Sequence, residues 1–157
     1  MDERTRQRFD ELVEEAIGNL PESLRTLIDE VPVIVLDEPT PEILRDLGID
    51  PADPASAREL CGLHSGTPFT EPGIDTHQGH TSEHTASTLP TIHLFRVGIL
   101  HLALDPPGHE PAATLPDWPA TDDADDAVYS EIEVTLLHEL GHQFGLDEDD
   151  LERLGYD

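Results

Sequence analysis

The chain has 157 residues, 35 of them acidic and 8 basic, for a net charge of −27 at neutral pH. The length predicts a single domain over residues 1–157 with a core of its own. The charge predicts no nucleic acid and no anionic membrane among its partners. Every basic residue is Arg, and the acids run through the whole chain instead of forming a tail. Self-repulsion of that size is relieved as salt shortens the Debye length, so the composition predicts a host with a salt-rich cytoplasm. The single cysteine, Cys61, excludes an internal disulfide and a thiolate metal cluster, and reads as a small buried apolar residue. The chain opens MDERTRQRFDEL, without the apolar stretch of a secretory leader, and no run is long enough to span a bilayer. A cytoplasmic location is the expectation.

In chain order, residues 3–18 predict a helix, with Phe9, Leu12, Val13, Ala16 and Ile17 on one stripe and Gly18-Asn19 as its stop. A short helical turn follows from Pro21, where proline suits a first turn. Residues 31–36 (VPVIVL) predict a strand that begins at, or lies at an edge because of, Pro32. Such a strand beside an active helix could pair with an extended peptide. Residues 41–47 predict a short helix ended by Gly48. Residues 61–90, rich in Gly, Ser, Thr, Pro and His, read as loop, and its His77, His80 and His84 as scattered loop histidines in preference to a second metal site. A second strand is expected from Thr91 to Val97, and a third strand or short helix over 99–104. Residues 105–121 form a Pro-rich connection in which Trp118 reads as an anchoring aromatic.

The last long helix is expected over 122–144. Acids at 122, 123, 125 and 126 suit its N-terminus, and Val128, Ile132, Leu136, Leu137, Leu140 and Phe144 fall at helical spacing. Within it lies HExxHxxGxxE. His138 and His142, four residues apart, project from one face and can grip one Zn²⁺. Glu139 stands where it can take a proton from an activated water. Gly145 can adopt φ > 0, end the helix and turn the chain back, bringing Glu148 in as a third ligand. Two nitrogens, a carboxylate and an open position describe a catalytic zinc site. Asp147 and Asp149 flank Glu148 and compete for its role. The carbonyl of a bound substrate needs a donor as it becomes an oxyanion; Tyr129, Tyr156, His93, His101 and Arg96 are candidates among which the sequence does not choose. Residues 149–155 predict a short terminal helix with Leu151 and Leu154 inward.

Together with FDELVEEAIGNLPESLRTLIDEVPVIVLDEPTPEIL, LCGLHSGTPFT and LPTIHLFRVGIL, the stretch TLLHELGHQFGLDEDDLERLGYD resembles a family of small zincin-like metallopeptidases, or minimal zincins. The resemblance implies a compact α+β zincin-like fold, a small mixed sheet packed on helices with a C-terminal active-site helix. It implies Zn²⁺ as cofactor, His138 and His142 as ligands, Glu139 as catalytic acid/base and a peptide or protein substrate. The family more often has Asp where Glu148 stands, and Tyr where His64 stands. Segments 75–88 and 105–121 look like departures in loop length. The only methionine is Met1, so the Met-turn of larger metzincins is absent. A non-proteolytic zinc-binding regulatory or binding module on the same scaffold is the alternative reading. The sequence does not indicate an oligomeric state.

Overall fold

The computed structural model describes residues 1–66, 90–105, 114–146 and 149. The order of elements is α1 (Glu3–Asn19), α2 (Glu22–Ile28), β1 (Val33–Leu36), α3 (Pro41–Asp46), α4 (Pro54–Glu59), β2 (Gly62–Ser65), β3 (Thr91–Phe95), α5 (Arg96–Leu104) and α6 (Asp122–Gln143). Among the described residues the architecture is the expected α+β arrangement, a three-stranded mixed sheet under helices with the longest helix toward the C-terminus.

The sheet has the order β1-β3-β2. β1 runs parallel to β3, with Val33 opposite Ile92 and Leu36 opposite Phe95. β2 runs antiparallel to β3, with Gly62 opposite Leu94 and Ser65 opposite Thr91. Pro32 heads β1 as expected. It has no N–H to give, but its carbonyl accepts from Ile92 N at 2.9 Å. Ile92 and Leu94 are fully buried and alternate with the more exposed Thr91 and His93, so one face of β3 carries the core.

Helix α1 starts where the Asp2 carboxylate accepts from Thr5 N at 2.8 Å. Its buried Phe9, Val13 and Ala16 meet α6 through Val128, Ile132, Leu136 and Leu140, an i, i+4 row that is at most 2 % exposed. Thr121 caps α6, and three aspartates in the first turn complement the helix dipole. Trp118 anchors the approach to α6: Arg8 of α1 stacks over its ring at 4.0 Å and also pairs with Asp125.

Three expectations change. Residues 62–65 form strand β2, not loop; helix α4 at 54–59 is an addition against which no expectation stood. The strand from Thr91 ends at Phe95, and residues 96–104 form one helix, α5. The strand packed against α6 is β2, together with the central β3, whereas β1 lies at the far edge of the sheet. Edge pairing of a peptide next to the active helix therefore does not fall to β1. Among the described residues no helix is long and apolar enough to cross a membrane. His77, His80, His84, Asp147, Glu148, Tyr156 and the expected helix at 149–155, Asp149 apart, lie outside the described residues.

Candidate metal centre

Helix α6 carries the site on its last two turns. Its end is a Schellman turn: Gly145 N donates to His142 O at 3.0 Å, and Leu146 N donates to Gly141 O at 3.1 Å. Gly145 has φ +78°, the left-handed conformation that a side chain disfavours. The expected break in the helix thus falls at the expected residue. The turn also reaches the site itself, because His142 Nδ1 lies 3.1 Å from the carbonyl oxygen of Leu146. A carbonyl only accepts, so the hydrogen sits on Nδ1 and the neutral ring keeps its lone pair on Nε2.

That Nε2 faces His138 Nε2 at 3.0 Å, with the two rings edge to face and their centroids 4.6 Å apart. Two imidazole nitrogens converge in this way when they share a proton or a cation. Two nitrogens bound to one tetrahedral Zn²⁺ sit about 3.4 Å apart. The pair is within a few tenths of an ångström of that spacing, and one ring is already oriented by an outer carbonyl as zinc-binding histidines usually are. These donors fit the ion. Among the described residues, no group of three or more His, Cys, Asp or Glu is placed to hold a metal. Neither Asp149, which is exposed, nor His64 completes such a group. The third ligand expected at Glu148 is outside the described residues.

Glu139 is 8 % exposed and is turned toward β2. Its Oε2 accepts from the main-chain N–H of His64 at 2.8 Å and lies 3.2 Å from His64 Nδ1. The His64 ring in turn lies 5.1 Å from that of His142, tilted by 33°. An ideal Cβ on Gly62 would come within 2.7 Å of Thr135 Cγ2 and 2.8 Å of both Glu139 Cγ and Oε1. β2 therefore runs along the face of α6 that carries Thr135, Glu139 and His142. Gly62 and His64 are the residues that sequence reasoning missed here. Four residues are too few for an alternation to register, and the only signal was the resemblance of LCGLHSGTPFT to the family.

Among the described residues, the oxyanion candidates do not gather at this site. Arg96 is buried and holds Asp10 at 2.6 Å and Asp37 at 3.0 Å. Asp37 also accepts from Arg6 at 2.7 Å, and that bond to Arg6 holds its carboxyl below the usual 3.8. Arg96 thus ties α1, β1 and α5 together. His101 pairs with Asp105 at 2.7 Å, and Tyr129 Oη with Asn19 Nδ2 at 3.2 Å. His93 stands opposite Leu63, so it points to the sheet face away from Gly62 and His64, where burial lowers its pKa from 6.5. The Cys61 thiol is pushed up to about 12 by burial and by the nearby Glu131 and Glu139, which keeps it an inert thiol.

Fold and site define an α+β domain whose last helix presents two convergent histidines and a buried glutamate. Residues 114–156, which contain this helix and the turn after it, match the model of the zincin-like metallopeptidase family. No curated relative matches the chain.

Proposed function

We propose that this protein is a zinc-dependent peptidase that cleaves a peptide bond with water. The observation that carries the reading is the convergence of His138 and His142 Nε2 at 3.0 Å beside Glu139, within the segment similar to the zincin-like metallopeptidases. His138 and His142 would hold the ion, with Glu148 as third ligand. Bound there, zinc would supply a Lewis acid that brings the pKa of water toward neutrality and polarises a carbonyl. Glu139 would take the proton of the attacking water at a carboxylate oxygen and deliver it to the departing amine. Its burial under β2 keeps bulk water from competing for that oxygen. The substrate, by this reading, is a peptide or protein segment.

The test is zinc content by elemental analysis together with cleavage of a quenched-fluorescence peptide library, with and without chelator. Glu139→Gln is expected to keep its zinc and lose at least about 10²-fold in turnover. His138→Ala is expected to lose the metal. Zinc retained by His138→Ala would remove that residue from the ligand set. A wild-type protein that binds zinc and cleaves nothing in the library favours the non-proteolytic module.

A further inference from the structure

His64 lies on β2 against the end of α6, and its surroundings give it a role. The Phe95 N to Cys61 O bond at 2.8 Å makes residues 61 and 95 a hydrogen-bonded pair of the antiparallel ladder. Residues 62 and 64 must then turn their main-chain groups away from β3, toward the open edge of the sheet. That edge is where α6 lies, and the His64 N–H meets Glu139 Oε2 at 2.8 Å. The side chain of the same residue returns to the same oxygen, with Nδ1 at 3.2 Å. So close an approach needs a residue without a side chain two positions earlier, and Gly62 supplies it.

Resting on the peptidase reading, we infer that His64 is a positioning residue for Glu139. Its main-chain N–H and its ring Nδ1–H together fix Oε2, and so fix the carboxylate that takes the proton from water. A carboxylate oxygen only accepts, so the inference requires the neutral ring of His64 to carry its hydrogen on Nδ1. Free neutral histidine prefers the other tautomer. The clamp costs Glu139 little flexibility at the moment of reaction, because the geometry is set before substrate arrives.

The tautomer provides a test that needs no turnover. Long-range ¹H–¹⁵N correlation on the zinc-loaded full chain, at mildly alkaline pH, should show His64 protonated on Nδ1. Glu139→Ala should return it to the Nε2-protonated form. A wild-type His64 protonated on Nε2 overturns the inference, even in a protein that cleaves peptides. In the activity assay, His64→Ala should lower kcat about tenfold with KM and zinc content unchanged. His64→Asn, whose amide Nδ2–H falls near the place of Nδ1–H, should recover most of that loss. Wild-type kcat in His64→Ala, or a loss of zinc in step with the loss of activity, contradicts the positioning role. A protein with the Nδ1–H tautomer but no peptidase activity would support the clamp and refute the peptidase.

Discussion

Glu131, Thr135 and Glu139 stand at i, i+4 and i+8, so α6 turns two carboxylates and a hydroxyl toward β2. The two carboxylates are treated differently. Glu139 accepts a main-chain N–H and lies 3.2 Å from an imidazole nitrogen, whereas Glu131 has a hydroxyl, Thr135 Oγ1, at 3.4 Å. Burial raises the Glu131 carboxyl above its usual 4.5, and the bond from Thr135 only partly offsets it. A carboxyl raised in the folded state stabilises the fold fully below the unfolded pKa. That contribution is lost as pH rises through the folded pKa. Ionised Glu131 is therefore a cost at neutral pH. Glu131→Gln keeps the acceptor for Thr135 and should raise the melting temperature at pH 7. The gain should vanish below about pH 4.5, where the wild-type residue is protonated too. Equal melting at pH 7 would mean that the carboxylate finds enough water to stay charged at no cost.

At the scale of elements, the site depends on contacts behind β2 as well as in front of it. An ideal Cβ on Gly98 of α5 would stand 2.0 Å from the carbonyl oxygen of Leu60 and 2.6 Å from its carbon. The obstacle is backbone, so a side chain there must displace α5 or the chain entering β2. Gly98→Ala should destabilise the protein by about 1–3 kcal/mol or more, read from chemical denaturation. Because Leu60 leads directly to Gly62 and His64, the same variant should lose peptidase activity under conditions where it is still folded. Native stability in Gly98→Ala would show that α5 and β2 do not pack this closely. The opposite edge is held by charge. Arg96 and Arg6 converge on Asp37, and Arg96 on Asp10, so α1, the end of β1 and the start of α5 are joined by two guanidinium groups. Arg96 is thereby committed to the carboxylates of Asp10 and Asp37.

At the scale of the molecule, 35 acids face 8 arginines, and several arginines are already paired internally. The remaining negative charge must be borne by solvent ions. We expect the melting temperature to climb as KCl is raised from dilute buffer toward molar concentrations, where the Debye length falls to about 3 Å. A melting temperature that falls with salt over this range would show that self-repulsion does not limit stability, and would remove the reason for proposing a salt-rich host. The Glu139 carboxylate itself is met by main chain and histidine.

Much of this was legible in the residues. The long helix, its N-terminal acids, its apolar row and the glycine that ends it were all evident, because each rests on a local rule: 3.6-residue periodicity, capping, or the freedom of one glycine to take φ +78°. The pairing of His138 with His142 belongs to the same class, since residues four apart on a helix are always neighbours. What surrounds Glu139 was not of that kind. His64 lies 75 positions away in sequence, on a strand too short to announce itself, and reaches the glutamate only because β3 sets the register of β2 and a bare Gly62 lets the sheet edge touch the helix. The sequence by itself determined which residues are proposed to bind a metal and activate water. Only the tertiary structure decided what holds the glutamate, that Arg96, His101 and Tyr129 are paired elsewhere and that His93 faces the other side of the sheet, because such contacts depend on strand register and close packing between distant segments, which no local pattern encodes.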